Sequence, residues 1–357
     1  MRLARWPWWA AVWVLAFGQA FAEMPADSKH HSNQGFVNPY AQQDHPGFWG
    51  FMRARFASGP WAKYDPKQYQ IPRATPSVLA SGDTDDNAVV TWLGHSTVLI
   101  QHRGMNVLTD PMLTPRASPV GFVGPRRISA PALELDELPT IDVVVISHDH
   151  YDHLDKTTLR HLGDQTRYFV PLGLKHWLVQ QGVDESRVTQ MDWWDTAEIE
   201  HDGEKLRITA TPSQHFSGRG AFDRGRSLWA SWMIEWSDFA TWFGGDTGYN
   251  AVQFAQIGRH FPRIDLGIIP IGAYAPSWFM QAVHVNPEEA VKIHQDIGAA
   301  QSMGVHWGTF VLSAEPVDEP VQRLARATQM AGLAPSRFTA FAIGETRRYE
   351  RKTAVRR

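Results

Sequence analysis

At 357 residues, 43% hydrophobic and 20% charged, the chain can bury the core of one large domain or two small ones. A net charge of −3 excludes a nucleic-acid binder that works through bulk electrostatics, so no nucleic-acid partner is expected. The absence of cysteine excludes disulfides, thiolate metal ligands and cysteine nucleophiles together, leaving imidazole and carboxylate to build any transition-metal site.

The chain opens on a targeting pattern. Arg2 and Arg5 flank the start of an apolar run over residues 6–18, and Ala20-Phe21-Ala22 makes a small-x-small cleavage site before Glu23. This predicts a signal peptide over residues 1–22 and export to a bacterial periplasm, with a retained anchor as the alternative. The run is shorter than the ~20 residues of a spanning helix. Residues 23–80, rich in Pro, Gly, Asn and His, read as an arm wrapping the domain that follows, with a short amphipathic helix at GFWGFMRARF, residues 47–56. His30 and His31 in this arm read as solvated.

A single domain is expected over residues 81–350, then a basic tail over 351–357. Strands are expected at 88–93, 97–102, 106–108, 142–147, 206–212, 231–235, 240–243, 266–271, 302–305 and 338–342. Asp155 is placed to cap a helix over 156–162. Asn286-Pro287-Glu288-Glu289 reads as an N-cap, a first-turn proline and two acids matched to the helix dipole. That helix carries Val291, Ile293 and Ile297 on one face and stops at Gly298. Strands and helices mixed without a repeat predict one layered α/β domain.

The chemistry is concentrated after the strand expected at 142–147, in Ser147-His148-Asp149-His150-Tyr151-Asp152-His153. Imidazoles and a carboxylate at H-x-H-x-D-H spacing converge on metal from one short loop, and zinc accepts both ligand types. One loop cannot close two sites. Further candidates stand where other apolar segments end: His215 in TPSQH, Asp246 after Gly244-Gly245, and His306 before Trp307-Gly308-Thr309.

Together these residues resemble the metallo-β-lactamase superfamily. WLGHST (92–97), LTDP (108–111), the segments 147–155, 212–215 and 243–249, IPIGAYAPSWFM (269–280), HVNPEEAVKIH (284–294) and SMGVHWGTF (302–310) are similar to the N-acylphosphatidylethanolamine-hydrolysing phospholipase D family. The resemblance covers roughly residues 36–350. IPIGAY and HWGTF mark that branch, whereas H-x-H-x-D-H belongs to the whole superfamily.

The resemblance implies an αββα sandwich with its site at one sheet edge. It also implies two zinc ions per chain: His148, His150 and His215 on the first, Asp152, His153 and His306 on the second, and Asp246 bridging. A pair of metals ~3.5–4 Å apart activates water and clamps the attacking and leaving oxygens of a phosphodiester. Asp152 thus lies at the catalytic centre. His284 resembles a family histidine near the leaving group, with a surface-loop position as its alternative. Asp110 can accept an imidazole N–H and fix its tautomer; His95 can do similar work or be a buried core histidine. Tyr274, Trp278, Phe279 and Met280 form an apolar run suited to acyl chains or to core packing. Arg219, Arg224 and Arg226 can attract phosphate or simply face solvent.

The implied activity is hydrolysis of N-acylphosphatidylethanolamine, or a related glycerophospholipid, to N-acylethanolamine and phosphatidic acid. Peripheral membrane contact is expected, and a homodimer is compatible. The alternatives are a metallo-hydrolase for a lactone or other carbonyl substrate and a non-catalytic lipid-binding protein of the same fold. The chain departs from the family over 216–226 and in the arm, both of which can shape access to the site.

Overall fold

Most of the apolar runs pair into two seven-stranded sheets. The computed structural model describes residues 28–42, 45–56, 61–80, 85, 87–220 and 222–350; the leader expected over 1–22 and the tail over 351–357 lie outside the described residues. The arm supplies a small hairpin, β1 (His31–Ser32) with β2 (Gly35–Phe36), and then α1 (Gly47–Phe56). Next come β3 (Ala88–Gly94), β4 (Thr97–His102), β5 (Met105–Thr109), β6 (Val143–Val145), α2 (Lys156–Leu162), β7 (Arg167–Pro171), α3 (Lys175–Gln180) and β8 (Val188–Met191). The second half runs through β9 (Thr196–His201), β10 (Glu204–Thr211), β11 (Ser231–Glu235), β12 (Ala240–Phe243), α4 (Gln253–His260), β13 (Leu266–Pro270), α5 (Ser277–Met280) and α6 (Pro287–Asp296). It closes with β14 (Gln301–Val305), α7 (Glu319–Met330), β15 (Phe338–Ala340) and β16 (Thr346–Tyr349).

One sheet has the order β16-β3-β4-β5-β6-β7-β8, the other β15-β14-β13-β12-β11-β10-β9. Strand alternation sorts side chains between layers. In β6, Val143 and Val145 enter the core shared by both sheets, while Val144 faces the other way with Leu159 of α2 and Leu178 of α3. Trp92, Val98 and Ile100 meet Ile208, Trp232 and Phe243 in the shared core, which extends to Phe254, Val291 and Leu324 of α4, α6 and α7. Helices therefore cover both outer faces of a sheet pair, the αββα arrangement.

β3, β5 and β6 run in one direction, as do β10, β12, β13 and β14. Their C-terminal ends release the loops that carry the candidate ligands.

The expected caps are present: Asp155 accepts from Thr158 N–H, and Asn286 and Glu289 form a reciprocal capping box. The strand expected at 142–147 is shorter, because Ser147 N–H donates to the Asp110 carboxylate instead of a neighbouring strand. β1, β2, β7, β8, β9 and β16 were not expected. β8, β9 and β16 lie at sheet edges, and their partly exposed faces carry the polar residues that hide the strand pattern. Among the described residues no helix is long and apolar enough to cross a membrane.

His30 and His31 are not simply solvated. Their Nε2 atoms each lie 2.7 Å from a different oxygen of Asp192, just beyond β8, and His30 is buried against the Trp193 ring. The arm continues along the domain through Phe36 N–H to Gly225 O (2.8 Å) and Asn38 Nδ2 to His215 O (2.7 Å).

Candidate metal centre

Local backbone needs explain several residues around the centre. Gly245 has φ +57°, and a Cβ there would lie 2.4 Å from Ser147 Cβ, so only glycine lets the Asp246 loop pass the H-x-H loop. A Cβ on Gly272 would lie 2.2 Å from His306 O. His95, Asp110 and His306 themselves hold positive φ, +54°, +32° and +61°. Such backbone is uncommon outside glycine and persists where surrounding contacts over-determine it.

Three imidazoles converge on one side. His148 Nε2 lies 2.8 Å from His150 Nδ1, and His215 Nε2 lies 3.3 Å from the same atom. On the other side Asp152, His153 and His306 gather, with His95 beside them. Asp246 stands between the two groups. Its Oδ2 is 3.1 Å from His153 Nε2 and 3.9 Å from His215 Nε2, and its Oδ1 is 3.2 Å from His306 Nε2. All seven residues expected as ligands are thus brought together.

Outer hydrogen bonds decide which ring nitrogen faces inward. Ser147 Oγ–H donates to Asp110 Oδ2 (2.5 Å), so His148 Nδ1 must donate to Ser147 Oγ (2.8 Å), leaving a lone pair on Nε2. His215 Nδ1 faces the Val283 carbonyl (2.8 Å), which only accepts, so its Nε2 likewise presents a lone pair. Asp110 Oδ2 accepts from His153 Nδ1 (2.7 Å). His95 Nε2 donates to Asp152 Oδ2 (2.9 Å). Asp110 therefore holds an imidazole, as expected, whereas His95 meets a carboxylate.

Electrostatics favour a cation here. Burial pushes His148 and His215 well below the usual histidine value and lowers His150, so these rings are neutral. Burial alone would raise Asp152 and Asp246, yet His153 and, for Asp246, His306 hold both well below the usual carboxylate range. Burial works against charge on His306, but Asp246 and Asp152 outweigh it and bring this group to about 9. His153 Nε2, His306 Nε2 and Asp246 Oδ1 are buried without a hydrogen-bond partner. Each such atom costs ~1–3 kcal/mol when left unsatisfied. A divalent cation that displaces the protons of His153 and His306 satisfies all three, and imidazole with carboxylate suits an ion of borderline softness. The residues present fit a metal centre.

His284 reaches the same place. Its Nδ1 is 3.8 Å from Asp246 Oδ2 and its ring 5.1 Å from that of His215, so the surface-loop alternative does not hold. Burial brings it to about 4, so it is a neutral imidazole.

The apolar run divides. Tyr274 is buried, with its hydroxyl on Glu319 (2.9 Å) and Arg323 stacked on its ring, so it braces α7 and does not line an acyl groove. Phe279 and Met280 are buried with Ala54 and Ala273, because Gly50 and Ala54 of α1 are small enough to let α5 come close. Trp278, 39% exposed, lies under the Arg53 guanidinium.

Two residues at the centre were not singled out from the sequence. Phe216 packs its ring 4.5 Å from His150 and 4.9 Å from His215. His45 of the arm lies 5.2 Å from Phe216 and 4.6 Å from Phe279, held to about 3 by burial first and then by Arg224, His284 and His150. Phe216 was legible by its place next to His215. His45 stands in a segment without periodicity and carried no such signal.

Known proteins resemble this chain in sequence and in fold. The profile of the family described as a β-lactamase superfamily domain matches residues 105–307. The chain is 40% identical over 248 residues to N-acyl-phosphatidylethanolamine-hydrolyzing phospholipase D 1 of Caenorhabditis elegans, covering 68% of this chain and 70% of that protein. It is 36% identical over 246 residues to the mitochondrial N-acyl-phosphatidylethanolamine-hydrolyzing phospholipase D of Saccharomyces cerevisiae, covering 68% of this chain and 52% of that protein. Among solved structures, an isothiocyanate hydrolase from Delia radicum gut bacteria superposes with a TM-score of 0.59 at 16% identity, over 74% of this chain and 100% of the other, a likeness of fold alone. The chain belongs to the metallo-β-lactamase superfamily, resembles its N-acylphosphatidylethanolamine-hydrolysing phospholipase D branch, and is a metal-dependent hydrolase.

Proposed function

We propose that this chain hydrolyses the phosphodiester of N-acylphosphatidylethanolamine or a related glycerophospholipid with two zinc ions. The observation that carries the reading is the pair of ligand groups flanking Asp246, set in a chain 40% identical to a protein named for that activity. His148, His150 and His215 would hold one ion, Asp152, His153 and His306 the other, with Asp246 shared. Two divalent ions in such a donor set lower the pKa of water and stabilise the charge of a phosphoryl group.

The protein's own groups do the rest. Asp110 acting through Ser147, and the Val283 carbonyl, leave the inward-facing nitrogens of His148 and His215 free of protons, and Asp110 orients the His153 ring. In the balanced reaction a water oxygen bonds to phosphorus and the bond from phosphorus to the ethanolamine oxygen breaks. The departing oxygen takes a proton, giving N-acylethanolamine and phosphatidic acid. His284, neutral and beside Asp246, is placed to hydrogen-bond that oxygen. Exposed Trp49, Phe51 and Phe56 on α1, with Arg53 and Arg55, support contact with an anionic bilayer surface. The basic and apolar start of the chain supports export to a periplasm.

The test is to give metal-loaded protein N-acylphosphatidylethanolamine in mixed micelles, and separately a lactone and a β-lactam. N-acylethanolamine should form, and in ¹⁸O-water the label should enter phosphatidic acid. Turnover of the carbonyl substrates with the phospholipid untouched would overturn the reading.

A further inference from the structure

The three arginines after His215 have separate duties. Arg219 is committed to structure: its guanidinium donates to the carbonyls of Asp149 (2.6 Å) and Leu154 (2.9 Å) and lies over the rings of Tyr151 and Trp177. Arg224 and Arg226 are both exposed. Arg224 is set apart by its stacking. Its guanidinium carbon sits 3.7 Å from the centre of the Phe216 ring, and Phe216 in turn packs on His150 and His215. Among the described residues no carboxylate pairs with Arg224. A guanidinium fixed on an aromatic face keeps its planar fork of donors free for an anion, and the stacking sets where that fork points.

His45 packs against the same Phe216 ring and against Phe279, within electrostatic reach of Arg224. Its Nδ1 accepts the Gly47 N–H (3.1 Å), so the neutral ring carries its proton on Nε2 and offers a donor there. One cation and one neutral donor thus meet at Phe216, whose ring already touches two candidate ligands of the centre. A phosphodiester brings a negative charge and two non-bridging oxygens to this place. A lactone or simple ester brings none.

We propose that Arg224 and His45 form an anion-reading lip, in which the Arg224 guanidinium pairs with a non-bridging oxygen of the substrate phosphodiester and His45 Nε2–H donates to it. The proposal deepens the phosphodiesterase reading and rests on it. It makes these two residues specificity-determining, one contributed by the arm and one by the loop after His215. They select an anionic diester over a neutral ester through binding, without taking part in bond making.

The experiment compares wild type, Arg224→Gln, Arg224→Lys and His45→Phe on anionic bis(p-nitrophenyl) phosphate and on neutral p-nitrophenyl acetate, with diethyl phosphate as a competitive inhibitor. Arg224→Gln should raise KM for the diester and Ki for diethyl phosphate by about ten- to a hundredfold, the scale of one charge-assisted hydrogen bond. Its kcat on the diester, its KM for the acetate and its melting temperature should stay near wild type. Arg224→Lys should recover part of the loss, and His45→Phe should shift KM and Ki in the same direction by less. Unchanged KM and Ki in Arg224→Gln, or equal losses on both substrates, would overturn the lip while leaving the phosphodiesterase reading intact. A wild type that cleaves the acetate but never the diester would overturn that reading, and the lip with it.

Discussion

Asp110 accepts three hydrogen bonds with two oxygens, from Ser147 N–H (2.6 Å), Ser147 Oγ–H (2.5 Å) and His153 Nδ1 (2.7 Å), from a backbone at φ +32°. Through Ser147 it also sets the tautomer of His148, so one buried carboxylate orients an imidazole in each ligand group. An amide at this position has only one acceptor oxygen and cannot take all three bonds. Asp110→Asn should therefore weaken metal binding by about 10–100-fold, the usual cost of losing such an outer partner, while the protein stays folded. Competition with a chromogenic chelator, read beside circular dichroism, measures both. Unaltered affinity would mean that His148 and His153 are oriented by something other than Asp110. The role of Asp110 was legible because LTDP ends a strand next to the H-x-H loop. That of His95 was less so, since a histidine after a strand shows nothing of whether its partner is an imidazole or a carboxylate.

At the scale of elements, α5 and the arm carry the testable content. Trp278 and Phe279 are neighbours in sequence with opposite surroundings: one 39% exposed over Arg53, the other 6% exposed against His45 and Ala54. Trp278→Ala should lower turnover of vesicle substrate and spare a small soluble phosphodiester and the melting temperature. Phe279→Ala should cost ~3–5 kcal/mol of stability and both activities. Equal loss on both substrates in Trp278→Ala would remove α5 from lipid contact. The arm depends on Asp192. Burial would raise its carboxyl, but the bonds from His30 and His31 outweigh that and hold it below the usual carboxylate value. A depressed carboxyl stabilises above its unfolded pKa of ~3.9 and loses that contribution as pH falls through the lower folded value. Hydrogen exchange over residues 28–36 should thus stay protected from neutral pH down to about pH 4 and open below it, and Asp192→Asn should open it already at neutral pH. Identical protection in the variant would show that the arm is held by its other contacts alone.

Across the whole molecule, the centre was more legible than the frame around it. The ligands follow apolar strands whose C-terminal ends meet at one edge, and His148, His150, Asp152 and His153 fall within one six-residue stretch, so their chemistry showed through without knowledge of the pairing. The edge strands did not show, because Thr196–His201 and Thr346–Tyr349 spend their partly exposed faces on Glu and Arg. Tyr274 misled for a related reason: an aromatic run does not reveal which of its members turns its polar tip to a helix behind it. His30, His31 and His45 could be placed only by the fold, which lays an arm without periodicity across the C-terminal ends of the strands. All of these features converge on one claim, that two groups of inward-facing ligands flank Asp246 and together hold a metal pair. Metal analysis of the purified, metal-replete protein by inductively coupled plasma mass spectrometry tests it most directly. The account predicts about two divalent ions per chain, both lost or weakened in Asp246→Ala; a single tightly bound ion, or none, in the wild-type protein would contradict it.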